Sequence, residues 1–102
     1  MTIDLGQKVT GNAGSITNNS SLTVDTAGSR KQIPSFQGME VLIIAKASNT
    51  GYIYIGDSNV SSTKHTQRLL ASDSAILSVS DSSQIYIDSS VSGEGIFYTI
   101  IG

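Results

Sequence analysis

The chain has 102 residues, 14% of them charged, and its formal net charge is −2. This length fits one domain with one core, and a sequence without cysteine excludes disulfide scaffolds, thiol catalysis and cysteine-based zinc sites. The six Lys and Arg residues are scattered and no basic run is interleaved with aromatic residues, so the composition does not favour nucleic-acid binding.

The first 19 residues are rich in Gly, Asn, Thr and Ser, and we predict an extended arm over residues 1–19 with one short strand near Val9. Two interpretations stay open. The segment is either a flexible terminus or an arm that docks on a neighbouring chain. The segment lacks the basic region and apolar run of a signal peptide, and no stretch of the chain approaches the length of a membrane span. The widely spaced apolar residues of the arm are Ile3, Leu5, Val9 and Ile16.

Strand signals recur from residue 20 onward at about the 8–12-residue spacing that is typical of a sandwich or barrel. The run at residues 39–47 could also be a buried helix, but its length and β-branched content favour a strand. Pro34 ends a short predicted edge strand. The predicted strands are 22–24, 30–33, 39–47, 52–55, 67–71, 75–79, 83–87 and 96–101.

The sequence also predicts the form of two connections between strands. Asn49 to Gly51 is a turn signal, so residues 39–55 are predicted to form a β-hairpin. Its second strand alternates, with Ile53 and Ile55 on one face and the tyrosines on the other. Residues 93–95, Gly-Glu-Gly, are predicted to be a flexible turn.

The fold that follows is an all-β, antiparallel β-sandwich of about eight strands over residues 20–102, because antiparallel pairs need only short connections. Eight strands in two sheets is the jelly-roll number, so the sandwich is expected to be jelly-roll-like. An immunoglobulin-like sandwich stays open. The predicted core residues are Ile43, Ile53, Ile55, Ile85, Ile87 and Ile100.

One possible catalytic motif is Gly56-Asp57-Ser58, because one family of lipases and esterases places its nucleophilic serine in Gly-Asp-Ser. That motif needs a strand leading into a helix and a partner histidine. Here a polar loop follows, and His65 has no evident partner, so we interpret the motif as a turn. His65 is predicted to be exposed.

The loop also carries the start of a calcium-loop spacing at Asp57, Asn59 and Ser61. The sixth position is Ser62 instead of Gly, and the twelfth is Arg68 instead of Glu, so the spacing fails both requirements. We therefore predict no catalytic residue, no metal site and no cofactor.

Four tyrosines lie on predicted strands, at Tyr52, Tyr54, Tyr86 and Tyr98. They could stack on sugar rings, which makes a surface-glycan-binding module an alternative function. Sandwich sheets also use half-buried tyrosines with the hydroxyl in water, and the sequence has no tryptophan.

A series of strand and turn motifs fills the second half of the chain: residues 52–61, Leu69-Leu70, 76–79, 83–87 and 90–96. Over about residues 51–98 this series resembles small β-rich proteins encoded among bacteriophage head and tail genes, several of them capsid decoration, or cement, proteins. The resemblance implies a non-enzymatic virion protein, made in the host cytoplasm and bound to the major capsid protein on the capsid surface. It implies neither a nucleic-acid nor a membrane partner. A tail or fibre component is the alternative.

The resemblance also bears on assembly, since such proteins often act as trimers at three-fold positions of a shell. A chain this small is marginal as a lone copy, so extra burial between copies would stabilise it. We therefore predict a homotrimer, with the apolar residues of the arm as its partner-binding contacts.

Overall fold

The computed structural model of the chain describes residues 20–37 and 40–101. The predicted arm over residues 1–19, with its strand near Val9, lies outside these described residues. The described part contains eight strands and one short 3-10 helix, at Ser82–Gln84. The strands are β1 (Ser20–Val24), β2 (Lys31–Gln32), β3 (Glu40–Ala45), β4 (Ile53–Gly56), β5 (Gln67–Leu69), β6 (Ser74–Ser78), β7 (Tyr86–Ser89) and β8 (Glu94–Ile101).

The strands form two four-stranded antiparallel sheets. Sheet 1 has the order β1-β8-β3-β6, and sheet 2 has the order β2-β7-β4-β5. Four of these pairings are nested in chain order: β4 pairs with β5, β3 with β6, β2 with β7 and β1 with β8. The prediction of an all-β, antiparallel fold with eight strands is confirmed, and the jelly-roll-like description stays a prediction.

The core lies between the two sheets and consists mainly of β-branched side chains. Along β3, Val41, Ile43 and Ala45 point inward, because alternate residues of a strand face opposite sides of the sheet. The neighbouring strand β8 contributes residues opposite them, at Ile96, Tyr98 and Ile100. All six predicted core isoleucines are buried, with exposures between 0% and 3%.

The predicted hairpin over residues 39–55 is wrong, because β3 lies in sheet 1 and β4 lies in sheet 2. The corner between them is held against β8. The Nδ2 of Asn49 donates to the Gly95 carbonyl at 2.8 Å, and the Gly95 N–H donates back to Asn49 Oδ1 at 3.3 Å. A strand-turn-strand pattern is common to hairpins and to corners between sheets, so alternation could not separate the two.

Two local predictions are also corrected. Ser83 and Gln84 belong to the 3-10 helix instead of a strand, because Asp81 caps this turn by accepting the Ser83 N–H at 2.9 Å. Glu94 and Gly95 are buried residues of β8 instead of a flexible turn. The turn itself lies at Gly93, whose φ of +86° is a conformation that glycine tolerates best.

Candidate functional site

The outer face of sheet 1 exposes a set of large apolar side chains. Ile76 is 61% exposed, Phe97 41% and Ile44 37%, while Leu42 and Ile101 are half-buried. These five residues, which we call the apolar patch, lie on the face opposite to the core. An outward side chain on a sheet is normally polar when that face meets water, so the patch is unusual for a free surface.

The pairing register makes the patch continuous across three strands. Ile44 on β3 lies opposite Phe97 on β8, and Leu42 on β3 lies opposite Ile76 on β6. Directly opposed residues of antiparallel strands have Cβ atoms about 4.5–5.5 Å apart, so these side chains are neighbours. Ile101 lies opposite Glu40 at one end of the patch.

Two opposite charges stand at the ends of the same outward row of β3. The row reads Glu40, Leu42, Ile44 and then Lys46, just beyond the strand. The Lys46 Nζ lies 5.3 Å from the centre of the Phe97 ring, a cation–π contact that places this side chain on the outer face. The patch is therefore bounded by an acid at one end and a base at the other.

The outer face of sheet 2 has a different character, with polar and aromatic side chains. The rings of Tyr52 and Tyr54 are 6.1 Å apart. The Arg68 guanidinium lies 4.5 Å from the Tyr52 ring centre, and the His65 ring lies 4.8 Å from that of Tyr54. Two of the aromatic faces are therefore already in contact with protein groups.

The four predicted strand tyrosines do not form one platform. Tyr98 points into the core of the sandwich and is 5% exposed, whereas Tyr54 is 7% exposed beneath His65. Tyr52 and Tyr86 are half-buried. The predicted exposure of His65 is also wrong: its ring is half-buried, and its Nδ1 lies 3.0 Å from the Ser61 carbonyl oxygen.

Asp88 is a buried carboxylate on β7, with 3% of its surface exposed. Its Oδ1 accepts hydrogen bonds from the Gly28 N–H at 2.9 Å and the Ser89 N–H at 2.8 Å. Gly28 has a φ of +91° in the turn between β1 and β2. The carboxylate thus fastens that turn to sheet 2, which is a structural role.

The Gly56-Asp57-Ser58 segment forms the predicted turn. The Asp57 side chain accepts the Asn59 N–H at 2.8 Å, and the Val60 N–H donates to the Asp57 carbonyl at 3.0 Å. Ser58 is exposed, and a turn instead of a helix comes directly after it. A shallow depression of about 170 Å³ lies beside this turn, lined by Gly56, Asp57, Lys64, His65 and Thr66.

Asp81 organises a second loop, between β6 and β7. Hydrogen bonds from the backbone and hydroxyl of Ser83 and from the Ser35 hydroxyl hold the pKa of Asp81 below its usual value. The buried Ser82 hydroxyl donates to the Pro34 carbonyl and accepts the Phe36 N–H at 2.8 Å. These contacts join the loop to the segment after β2.

Within residues 20–37 and 40–101, no group of three or more His, Cys, Asp or Glu side chains is arranged to hold a metal ion. In the same part of the chain, no helix has the length and apolar character needed to cross a membrane. The four arm residues predicted to bind a partner, Ile3, Leu5, Val9 and Ile16, lie outside the described residues.

The apolar patch was missed by sequence reasoning, although the signal was present. Residues 41–45 are apolar at both odd and even positions, which makes both faces of β3 apolar. A strand with one buried face and one wet face alternates instead. The additional apolar residues Leu42 and Ile44 therefore indicated that the second face of β3 is apolar as well.

Comparison with protein-family models, with curated protein sequences and with solved structures finds no match to this chain.

Proposed function

We propose that this protein is a non-enzymatic structural protein of a bacteriophage virion, a decoration protein that stabilises the capsid from its outer face. The observation that carries the proposal is the apolar patch on the outer face of sheet 1. Ile76, Phe97 and Ile44 each expose more than a third of their surface, and the register makes them contiguous.

An exposed apolar patch on a folded domain marks a contact with another macromolecule, because water disfavours extended apolar surface. A flat sheet face suits association with another protein surface. The remaining described surface consists mainly of short loops rich in Ser and Thr, with separate exposed apolar side chains at Phe36, Leu70 and Val91. A role in binding through whole sheet faces therefore fits the molecule better than catalysis in a cleft.

The proposal assigns two tasks to two parts of the chain. The arm binds the major capsid protein through the apolar residues Ile3, Leu5, Val9 and Ile16, and the sandwich forms contacts above the shell. The copies act as a homotrimer at three-fold positions. Linking three weak attachments raises the effective concentration of each, so the assembly clamps neighbouring capsomers more firmly than one copy does.

The test is reconstitution of decorated particles from the full-length protein and undecorated, tailless shells. Co-sedimentation should reach saturating occupancy, with density at three-fold positions in cryo-electron microscopy. Replacing Ile3, Leu5, Val9 and Ile16 together by Ser should reduce occupancy at least tenfold. A control variant with Thr2, Thr10 and Thr17 changed to Ser should bind as the parent does.

Two results would overturn the proposal. One is failure of the parent protein to bind shells at any concentration. The other is its absence, by mass spectrometry, from purified tailless heads of the phage that encodes it, together with presence in isolated tails. The second result supports the tail or fibre alternative.

A surface-glycan-binding module is the second candidate, favoured by the half-exposed Tyr52 beside Arg68 on sheet 2. A ring and a guanidinium together can contact the apolar face and the hydroxyls of a sugar. Glycan-array binding that disappears in Tyr52→Ala but persists in Tyr98→Phe would support this candidate. No binding across the array would exclude it.

A further inference from the structure

We propose that the apolar patch binds the same patch of a second copy of this chain, across a two-fold axis that lies in the plane of the face and perpendicular to the strands. This inference rests on the proposed function, since it names the partner of that surface. On a shell the contact would join copies that belong to neighbouring trimers.

The charge pattern along β3 selects this geometry. The outward row is Glu40, Leu42, Ile44 and Lys46, so it has an acid at one end and a base at the other. A two-fold axis perpendicular to the strands sets β3 antiparallel to its copy. Glu40 then faces Lys46 of the second copy, and the two apolar residues face each other.

The competing face-to-face geometry has its two-fold axis parallel to the strands and running along β3. In that geometry Glu40 faces Glu40 of the second copy and Lys46 faces Lys46, so like charges meet at both ends. Like charges across an interface are strongly unfavourable. A two-fold contact must be self-complementary, and the antiparallel arrangement meets that condition.

The flanking strands also match under the same axis. Phe97 stands level with Ile44, and Thr99 stands level with Leu42, so the two-fold places the large Phe97 over the smaller Thr99 of the second copy. On β6, Ile76 is level with Leu42 and Ser74 is level with Ile44. Ile76 therefore meets a serine. Two sheets packed face to face, about 10 Å apart, interdigitate when large side chains of one sheet lie over small side chains of the other.

The size of the face sets the strength of the contact. Four strands spaced by about 4.8 Å, each presenting roughly 20 Å of length, cover on the order of 400 Å² per copy. A standard stable interface buries about 800 Å² per partner, so this contact is weak in solution. Many copies held side by side on a shell would make it effective, through the high local concentration.

The experiment measures self-association of the full-length protein by sedimentation equilibrium, over a wide concentration range at low salt. Glu40→Lys and Lys46→Glu should each weaken association at least tenfold, because each creates like-charge pairs. An equimolar mixture of the two variants should regain association, since every reversed charge then meets its opposite. The double variant should also associate as the parent does. Lys64→Glu, on an exposed loop beside sheet 2, is the matched control and should change nothing.

Ile44→Ser provides a separate test, because the side chain is exposed and its loss should weaken association without lowering the melting temperature. The inference is overturned if the parent stays free of self-association, or if the charge variants associate as the parent does, or if their mixture shows no recovery. It is also overturned if Ile44→Ser lowers the melting temperature with no effect on association, since the chain's own arm would then cover the face. Shell binding is measured separately, so a protein that decorates shells at three-fold positions, but whose charge variants associate as the parent does, contradicts only this inference.

Discussion

Glu94 and Thr50 are joined by two hydrogen bonds, in which the Thr50 N–H and hydroxyl donate to the Glu94 Oε2 at 2.6 and 2.7 Å. The other carboxylate oxygen accepts the Gly51 N–H at 2.9 Å. Glu94 is the first residue of β8, and Thr50 lies in the corner where the chain leaves sheet 1 for sheet 2. One buried carboxylate therefore fixes the crossing between the two layers.

Glu94→Gln should destabilise the fold, in a pH-dependent way. Burial raises the pKa of Glu94, but the hydrogen bonds from Thr50 and Gly51 outweigh this effect and bring the pKa below its ordinary value of 4.5. The stabilisation is therefore present above the unfolded-state pKa and is lost as the pH falls through the folded-state pKa. We expect the variant to lose about 1–3 kcal/mol of unfolding free energy at neutral pH.

Urea unfolding of both proteins between neutral and acidic pH checks this prediction. The stability difference between them should shrink as the pH falls below 4.5. Asp25→Asn is the control, because the Asp25 side chain is 75% exposed in a surface ion pair with Lys31. A difference that stays constant down to acidic pH would contradict the role of the Glu94 charge.

Gly95→Ala and Gly93→Ala should destabilise the protein for different reasons and by different amounts. A Cβ at Gly95 would lie 2.2 Å from the Leu22 carbonyl oxygen, so β1 would have to move away from β8. A Cβ at Gly93 meets nothing within 4 Å, and the cost there is only the positive φ. We expect about 3 kcal/mol or more at Gly95 and about 1–2 kcal/mol at Gly93, from thermal unfolding. Equal effects would show that the contact with β1 relaxes freely.

Ile85→Ala and Ile76→Ala form a matched pair that tests the two faces of the sandwich. Ile85 is 1% exposed in the core, and its truncation should cost about 2–5 kcal/mol. Ile76 is 61% exposed, and its truncation should change stability by less than about 0.5 kcal/mol in dilute solution. Chemical unfolding at low protein concentration measures both, and an unchanged midpoint for Ile85→Ala would refute its place in the core.

Ser82→Ala should destabilise the protein by about 1–3 kcal/mol, although it removes a single oxygen. The side chain is fully buried, and its loss leaves the Phe36 N–H without its acceptor and the Pro34 carbonyl without this donor. Ser83→Ala is a less buried comparison in the same helix and should cost less. Thermal unfolding of the two variants shows which one loses more stability. A larger loss for Ser83→Ala than for Ser82→Ala would contradict the role of Ser82.

The fold class and most of the core followed from local pattern. Ile53 and Ile55 alternate with tyrosines on β4, and this period directly reports which side chains face the core. On β3 and β8 only Ile43 and Ile100 were predicted to be in the core, because consecutive apolar residues along these strands hide the alternation. Alternation within one strand is a local property, so the sequence alone was enough to predict which face of β4 is buried.

Pairing between strands was beyond the sequence. Nothing in residues 46–52 distinguishes a hairpin from a corner, because the difference lies in hydrogen bonds between Asn49 and Gly95, which are distant in the chain. Tyr54 was expected on a wet face, but His65 covers its ring from a loop with no periodic pattern. Contacts of this kind depend on tertiary structure, which local propensity does not encode.

The nested pairing has a consequence for how the protein is made. β4 and β5 can meet as soon as both are synthesised, whereas among the described residues β1 pairs with β8 alone, the strand most distant from it in the chain. β1 therefore stays without this partner during synthesis until β8 has been translated. Strand pairing should therefore begin at β4 and β5 and proceed toward β1 and β8. Truncation within β8 should leave β1 and β3 with unpaired edges, to which strands of other chains can bind.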